Sequence, residues 1–212
     1  MSNLNYSTDV QNPESGTFAK WYIVGVLTLV YVFNFVDRQI LSVLQEPMRA
    51  ELGMSDTQLG LLQGLTFAIF YITLGIPLAR WADVGVRRDI VALAVGTWSV
   101  MTALCGVAQN YTHLLLARIG VGIGEAGGSP PSHSIISDLF PPGKRALPLA
   151  IYSSGITWGV FLAYVFGAWV SDTYGWRTVF IALGIPGVIL ALLVKTTVRE
   201  PMRGRFDGDG AD

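Results

Sequence analysis

The pattern of hydrophobic and polar positions divides the chain into long apolar stretches separated by charged residues. Charged residues are absent from positions 57–79, 90–117 and 146–171, and from the shorter runs 21–36 and 178–194. A helix needs about 20 mostly apolar residues to cross the hydrocarbon core of a bilayer. The pattern therefore predicts six membrane-spanning helices, at residues 21–44, 57–79, 90–108, 113–138, 147–171 and 178–196.

The composition agrees with a membrane protein and excludes several other classes. Of the 212 residues, 51% are hydrophobic and 14% are charged, whereas about a quarter of the residues of a soluble domain are charged. The formal net charge of -1 gives no basic stripe of the kind that binds nucleic acid, so we expect no nucleic-acid partner. The single cysteine, Cys105, excludes a disulfide framework and a cysteine-rich zinc module.

The basic residues between the predicted spans indicate which way the chain crosses the membrane. Loops on the cytoplasmic side carry an excess of Lys and Arg. If the N-terminus is cytoplasmic, only Arg49 and Arg177 face the other side, whereas the cytoplasmic side holds Lys20, Arg80, Arg87, Arg88, Lys144, Arg145, Lys195, Arg199, Arg203 and Arg205. We therefore predict a multi-pass protein of the cell (inner) membrane with both termini in the cytoplasm.

The two halves of the predicted bundle resemble each other. Both contain the pattern A-x-x-x-D followed by a Gly and an Arg, ending at Asp83 and Asp172, which are 89 residues apart. A shift of 88 residues also places Asp37 of the first span on Glu125 of the fourth. Because three spans precede the second half, it lies upside down relative to the first, as in the inverted repeats of some transporters. The predicted fold is therefore an all-α integral membrane bundle of six helices, residues 21–198, built as two inverted three-helix repeats between cytoplasmic tails at 1–20 and 199–212.

Four charged residues lie within the predicted spans: Asp37 and Arg38 in the first, and Arg118 and Glu125 in the fourth. An ionisable group at mid-bilayer costs about 2.5–3.5 kcal/mol or more, so it normally faces a partner or a wet cavity. A desolvated carboxyl suits reversible proton uptake, and an arginine, which stays protonated, suits an anion. The four residues are therefore candidates for proton coupling and substrate binding, and the alternative is a purely structural charge network.

The rise of an α-helix predicts how deep these charges lie. At about 1.5 Å per residue, Asp37 lies in the outer third of the membrane, at a height similar to that of Arg118, so we expect that the two can pair. Glu125 follows Arg118 by seven residues, which places it about 10 Å deeper on nearly the same helix face. We therefore expect Glu125 near the midplane, well separated from the nearest opposite charge.

A break is expected in the fourth span directly after Glu125. The segment Gly-Gly-Ser-Pro-Pro at residues 127–131 interrupts a helix near mid-membrane, and the freed backbone groups are tolerated where they line a cavity. His133 follows and is a secondary candidate for a titrating site residue. Its alternative interpretation is a histidine that is simply hydrogen-bonded near a helix end.

An intramembrane serine hydrolase is the alternative from another class of function. It requires a nucleophilic Ser within reach of a base, for which Ser132 or Ser134 with His133 are the candidates. The sequence contains no G-x-S-x-G motif and no His, Cys or carboxylate cluster with metal-ligand spacing. We therefore expect no catalytic residue, no metal site and no enzyme.

Several short motifs resemble those of a known family. They are N-F-V-D-R at residues 34–38, S-D-T-Q-L-G-L-L at 55–62, the loop at 83–88, and G-W-R at 175–177. These resemble the N-terminal six-helix half of a Major Facilitator Superfamily transporter. The run R-I-G-V-G-I-G-E-A-G-G-S-P-P at 118–131, continuing to S-D-L-F-P at 137–141, is most similar to the Spinster-like branch.

This resemblance implies alternating access, with substrate bound at the midplane between two six-helix halves. Spinster-like relatives handle amphipathic lipids such as lysolipids or sphingoid phosphates. Asp37 and Glu125 match positions of proton-coupling carboxylates in the family, and Arg118 matches the position of their anion or carboxylate partner. The related organic anion–proton symporters share much of the pattern and are the alternative. The proton gradient is the expected driving force, and no cofactor is implied.

The resemblance also implies a cytoplasmic gate and a missing half. The loop motif of the superfamily, G-x-x-x-D-R-x-G-R-R, is kept at Asp83, Arg87 and Arg88 and altered at three other positions, which predicts a weakened latch. The family uses twelve helices, so we expect this chain to need a second six-helix half or a copy of itself, and not to transport alone. A non-transporting partner that regulates full-length relatives is a further alternative.

Overall fold

The computed structural model describes residues 16–206, and the side chains of all of these except residues 65–67. Within this range every regular element is a helix. The outermost parts of the predicted tails, residues 1–15 and 207–212, lie outside the described residues. The elements are α1 (Thr17–Leu52), α2 (Asp56–Gly60), a π-helical turn (Leu61–Leu65), α3 (Thr66–Val84), α4 (Arg87–Cys105), α5 (Tyr111–Ala126), α6 (Ser129–Leu139), a 3-10 turn (Pro142–Lys144), α7 (Ala146–Tyr174) and α8 (Trp176–Thr197).

Five helical stretches in the described part of the chain are long and apolar enough to cross a membrane: Thr17–Leu52, Asp56–Val84, Arg87–Cys105, Ala146–Tyr174 and Trp176–Thr197. The remaining predicted span, 113–138, is formed by two shorter helices, α5 and α6, which are interrupted at Gly127 and Gly128. The interruption predicted after Glu125 is therefore confirmed. Together the elements make the six crossings that the hydropathy pattern predicts.

The first helix is much longer than its apolar run. It begins at Thr17 and ends at Leu52, where Gly53 takes a left-handed conformation with φ of 62°. At about 1.5 Å per residue its 36 residues extend roughly 54 Å, well beyond the hydrocarbon core. Ser55 then starts α2 through a capping box with Gln58, which satisfies two backbone N–H groups at the helix start.

Close backbone contacts join α1 to α7 and α4 to α8. A Cβ atom added at Gly159 of α7 would lie 2.7 Å from the carbonyl oxygen of Val32 in α1. A Cβ atom at Gly184 of α8 would lie 2.6 Å from the carbonyl oxygen of Ser99 in α4. Lipid tails provide no hydrophobic drive for helix association, so such close approach is what stabilises a bundle inside a membrane.

The two ends of the bundle carry different contacts. At one end Glu51 accepts hydrogen bonds from Trp176 Nε1, at 2.7 Å, and from Arg177, whose Nη2 also donates to the Ala108 carbonyl at 2.9 Å. This end is called the Glu51 end. The opposite end, called the Arg87 end, holds Arg87 and most of the basic residues between the helices.

Candidate functional site

Two helices bring the four membrane charges together. Asp37 and Arg38 lie within one turn of the middle of α1, and as neighbours they point about 100° apart around the helix axis. Arg118 and Glu125 lie on nearly the same face of α5, close to two turns apart. Asp37, Arg118 and Glu125 are buried, whereas 27% of the Arg38 side chain remains exposed. The arginine is thus the member of the group that reaches the surface of the bundle.

Arg38 and Glu125 form an ion pair. Arg38 Nε lies 2.6 Å from Glu125 Oε2, and the Glu125 side chain is fully buried. The guanidinium group also lies over the ring of Tyr71, 4.8 Å from its centre, and 5.5 Å from the ring centre of Phe35. Aromatic faces attract a guanidinium group, so Arg38 is held between a carboxylate and two rings.

The prediction that Glu125 lies far from any opposite charge is wrong. It rested on Asp37, which was placed in the outer third of the membrane, and took no account of the reach of the neighbouring Arg38 side chain. The helix continues to Leu52, and Asp37 and Arg38 lie near its middle. The long side chain of Arg38 then spans the remaining distance between α1 and α5.

Asp37 points into the bundle and contacts a third helix. Thr102 of α4 donates a hydrogen bond from its hydroxyl to Asp37 Oδ1 at 2.8 Å, and Thr102 is itself buried. Arg118 Nη1 donates to the backbone carbonyl of Asp37 at 3.4 Å. Arg118 therefore lies beside Asp37, as their similar heights predict, and it donates to the backbone carbonyl of that residue.

Thr102, Tyr71 and Asn34 belong to this region but were not predicted as site residues. Thr102 lies in an apolar span, where a hydroxyl gives little signal because it can bond to its own helix backbone. Tyr71 lies in the least polar part of the second span. Asn34 is buried one turn before Arg38. Its position in the N-F-V-D-R motif could have identified it as a site residue.

A second group of charges lies at the Arg87 end. Arg87 is only 1% exposed and donates from Nε to Glu200 Oε1 at 2.7 Å. Its Nη1 donates to Asp138 and, at 2.8 Å, to the hydroxyl of Ser134, and its Nη2 donates to the Pro201 carbonyl at 2.9 Å. All three guanidinium nitrogens are thus used, and one side chain ties α4 to α6 and to the segment after α8.

Arg88 and Asp83 complete the predicted gate residues. The backbone N–H of Arg88 donates to Glu200 Oε2 at 2.9 Å, and its side chain pairs with Asp89 at 2.9 Å. Asp83 is exposed, and its backbone carbonyl accepts a hydrogen bond from Arg203, which also donates to the Ala82 carbonyl at 2.6 Å. Arg87 and Arg88 therefore meet at Glu200, whereas Asp83 belongs to the contact with Arg203.

Glu200 and Arg203 lie in the segment 199–212, which was predicted to be a cytoplasmic tail and was assigned no contact with the helices. In the described part of this segment, both side chains fold back onto the bundle. Asp138, the other carboxylate on Arg87, lies in the motif at 137–141 but was assigned no role. The sequence does not show whether a polar residue next to a membrane span contacts water or the end of a distant helix.

His133 lies outside both charge groups. Its Nδ1 is 3.0 Å from the Ser129 carbonyl, and its ring packs edge-on against Tyr152 with centres 4.9 Å apart. Ser132 donates to the Gly128 carbonyl at 2.7 Å, and the Ser134 hydroxyl accepts from Arg87. The two hydroxyls therefore contact the backbone and an arginine, which is not the Ser–His arrangement that nucleophilic catalysis requires.

A family model described as the Major Facilitator Superfamily matches residues 27–211, and the chain belongs to this superfamily. It is similar to an MFS-type efflux pump of Mycolicibacterium smegmatis, with 40% identity over 178 residues that cover 84% of this chain and 42% of that protein. It is also similar to a crystal structure of a bacterial homolog to the human lysosomal transporter Spinster, in an inward-facing and unoccupied conformation. That likeness has a TM-score of 0.86 and 40% identity over 92% of this chain and 46% of that chain.

Two further relatives differ in what their names say they carry. The sphingosine-1-phosphate transporter SPNS2 of Danio rerio is 30% identical over 189 residues, which cover 88% of this chain and 37% of that protein. The probable L-galactonate transporter of Escherichia coli is 34% identical over 167 residues, covering 79% and 37%. The chain spans less than half the length of each relative.

These similarities confirm the family, the Spinster-like resemblance and the fold. The fold is an all-helical membrane bundle that corresponds to half of a Major Facilitator Superfamily fold. The relatives and the fold are those of transporters and not of enzymes, which removes the serine hydrolase alternative. The relatives are multi-pass membrane proteins, in agreement with the apolar helices of this chain.

Proposed function

We propose that this chain is one six-helix half of a secondary transporter that works by alternating access and is driven by the proton gradient. The observation that carries the proposal is the group of two carboxylates and two arginines inside the bundle, of which only Arg38 is substantially exposed. Charges at this depth in a membrane normally belong to ion or substrate pathways. Their formal charges sum to zero, so one added proton leaves the group with a net positive charge.

The ion pair between Arg38 and Glu125 is the proposed coupling element. While Glu125 is ionised, its Oε2 holds the guanidinium group of Arg38. A proton bound at Oε2 neutralises the carboxylate and weakens this hold, because the charge-assisted bond becomes an ordinary one. Arg38 is then available to an anionic group of the substrate. Protonation and anion binding therefore favour the same state, which gives proton–anion symport.

Asp37 and Arg118 are the other proposed site residues. Asp37 is the second proton-coupling carboxylate, since its proton also changes the net charge of the group. Arg118 keeps α1 and α5 in register through the Asp37 carbonyl and adds positive charge close to both carboxylates. His133 stays a secondary candidate, at the surface near Tyr152.

We propose an amphipathic anion such as a lysolipid or a sphingoid phosphate as substrate. The exposed side of Arg38 is bordered by the rings of Phe35 and Tyr71, which suit an apolar chain next to a phosphate. The zebrafish relative named a sphingosine-1-phosphate transporter supports this choice. The relative named a probable L-galactonate transporter supports the alternative, an organic anion–proton symporter half that uses the same arginine.

A second six-helix half, or a copy of this chain, is the proposed partner. The stretches that contain α3 and α7 are the least buried of the five long helical stretches. Only 13% and 22% of their apolar segments lie inside the bundle. Alternating access needs two bundles that rock about a shared site. We therefore propose that the partner covers α3 and α7, with residues 21–198 as the working bundle, and that the chain alone does not transport.

The Arg87 end is the proposed cytoplasmic side. Most basic residues between the helices lie there, and cytoplasmic loops carry the excess of Lys and Arg. Both termini then lie in the cytoplasm of a cell whose inner membrane holds the protein. Asp83, Arg87 and Arg88 form the proposed gate at this end, and its latch includes Glu200 and Arg203 through their contacts with Arg87 and the end of α3.

The test is uptake into proteoliposomes that hold this chain with its second half and a pH-sensitive dye inside. A lysophospholipid, sphingosine 1-phosphate and L-galactonate are offered separately under an imposed proton gradient. We expect an amphipathic anion to enter together with protons, and Glu125→Gln to abolish the proton flux. Glu46→Gln, on an exposed position of the same helix as Arg38, is the matched control. Unchanged proton-coupled uptake in Glu125→Gln would contradict the coupling proposal, and preference for L-galactonate would favour the alternative.

A further inference from the structure

A groove of about 630 Å³ runs along the outside of α4 and α8. Its floor is formed where the two helices approach closely, because small residues meet there: a Cβ atom at Gly96 would lie 3.6 Å from the Cβ atom of Ala191. Larger residues next to this contact, Leu93 and Leu192, are mostly exposed and form the walls. The surface of the groove is apolar along most of its length.

Charged residues lie only at one mouth of the groove. Lys195 Nζ and Arg88 Nε are 2.8 Å and 2.9 Å from the same oxygen of Asp89, and all three side chains are at least 31% exposed. One carboxylate is thus shared by two cations, so these three side chains together carry one net positive charge, and the nearby Glu200 carboxylate is paired with Arg87. This mouth is complementary to an anionic group at a membrane surface.

The length of the groove corresponds to one leaflet of a bilayer. From Asp89 at the mouth to Met101 at the far end, α4 rises roughly 18 Å. Half of the hydrocarbon core of a bilayer is about 15 Å thick. An acyl chain whose head group lies at the membrane surface therefore extends along the full groove.

The groove faces away from the membrane charges. Thr102, which contacts Asp37, and Trp98 are buried inside the bundle, whereas Leu93 and Val100 on the other side of α4 are exposed. A partner half that covers α3 and α7 leaves this side of the bundle to lipid. A protein helix in the groove would also have to remove Lys195, Asp89 and Arg88 from water, which is costly.

We propose that the groove between α4 and α8 binds an acyl chain of one anionic phospholipid from the leaflet at the Arg87 end, with its phosphate on Lys195 and Arg88. This lipid is a resident of the bundle surface and not the transported substrate. It holds together the two helices that pack through Gly184 and Ser99. The inference is independent of the transport proposal because lipid binding is measured on the chain itself.

The test uses the purified chain in nanodiscs that contain phosphatidylglycerol with a photoreactive diazirine near the end of one acyl chain. After illumination, mass spectrometry of peptides locates the label. We expect it in residues 89–101 and 188–195. Label spread over the other exposed helix faces, such as those of α3 and α7, would overturn the proposal.

Matched variants test the groove and its mouth separately. Thr97→Phe fills the groove, whereas Ile189→Phe adds the same ring to an exposed position of α8 that does not line it. We expect loss of most label in the first and no change in the second. Lys195→Ala should reduce retention of the lipid about fivefold, the effect of one cation at an anionic surface, and Lys144→Ala should not.

Two outcomes would reject the proposal even if the variants fold well. Equal labelling of Thr97→Phe and Ile189→Phe would mean that lipid contacts the bundle without using the groove. A stable dimer of the unchanged chain that Thr97→Phe dissociates would assign the groove to a second copy. If Thr97→Phe does not fold, the positions labelled in the unchanged chain decide.

Discussion

Arg38 Nε lies 2.6 Å from Glu125 Oε2 although the two residues are 87 positions apart in the chain, and only the arginine of this pair is exposed. The pair joins the middle of α1 to the end of α5. A buried carboxylate depends on such a partner, because an unpaired charge in a medium of low polarity is strongly unfavourable. The exposed arginine, by contrast, can exchange this partner for another anion.

Removal of one partner of this pair is expected to be worse than removal of both. Arg38→Met leaves the Glu125 carboxylate buried without its arginine, with an expected loss of up to about 3 kcal/mol in the free energy of unfolding. The double variant Arg38→Met/Glu125→Met removes both charges and should recover most of that loss. Thermal unfolding in detergent of four forms, namely the unchanged chain, Arg38→Met, Glu125→Met and the double variant, measures the coupling free energy.

Uptake separates stability from function in the same four forms. The double variant should fold but bind no anion at this site, since both charged groups are gone. If the single Arg38→Met variant is as stable as the unchanged chain, the pair is too weakly coupled to act as proposed.

Thr102→Val removes the hydroxyl that donates to Asp37 and keeps the shape of the side chain. We expect a loss of about 1–2 kcal/mol in the free energy of unfolding, because the buried carboxylate loses a donor. Thr102→Ser restores the donor and should recover most of the stability. Thr97→Val on the partly exposed side of α4 is the control and should have little effect. Equal stability of the Thr102→Val and Thr97→Val variants would mean that the hydrogen bond contributes nothing.

Arg87→Ala is expected to loosen the Arg87 end of the bundle. Two carboxylates, Asp138 and Glu200, lose their common partner, and breaking a buried charge network of this kind costs about 3–5 kcal/mol. Limited proteolysis should then cut after α8, where Glu200 and Pro201 lose their contacts. Arg88→Ala is the control: its side-chain pair with Asp89 is partly exposed, and such pairs contribute about 0–1 kcal/mol. Equal protease resistance of the two variants would mean that Arg87 does not hold the segment after α8 on the bundle.

Gly159→Leu is expected to separate α7 from α1. A Cβ atom at this position would already lie 2.6 Å from the Cβ atom of Phe35, so the larger side chain forces the two helices apart. Overpacking of this kind typically costs about 1–3 kcal/mol, read as a lower melting temperature. Gly25→Leu on α1 is the matched control, since its Cβ atom has nothing within 4 Å, and it should leave the melting temperature unchanged or raised. A Gly159→Leu variant as stable as the control would mean that the helices are not in close contact there.

The helices follow from the sequence because apolar runs between charges are a direct consequence of membrane thickness. The length of α1 does not follow in the same way: Glu46 and Arg49 end the apolar run, but the helix continues to Leu52 because its backbone bonds form equally well beside water.

The contacts between charged residues were harder to predict than their presence. The rotation of α1 about its axis decides whether Asp37 or Arg38 faces Glu125. An estimate of depth along the helix gives no information about this rotation. In the same way, Glu200 and Arg203 are ordinary tail residues in sequence. They become part of the bundle because Arg87 and the carbonyl groups at the end of α3 lie within reach.

The interruption at Gly127 and Gly128 places a pivot between α5 and α6. A Cβ atom at either glycine would lie 3.2–3.3 Å from α4, at Trp98 and Ala94, so the joint between α5 and α6 rests directly on that helix. On one side of the joint Glu125 holds Arg38, and on the other side Ser134 and Asp138 hold Arg87. The two short helices therefore connect the two charge groups, and a change in the angle between α5 and α6 would alter the contacts of Arg38 and of Arg87 together.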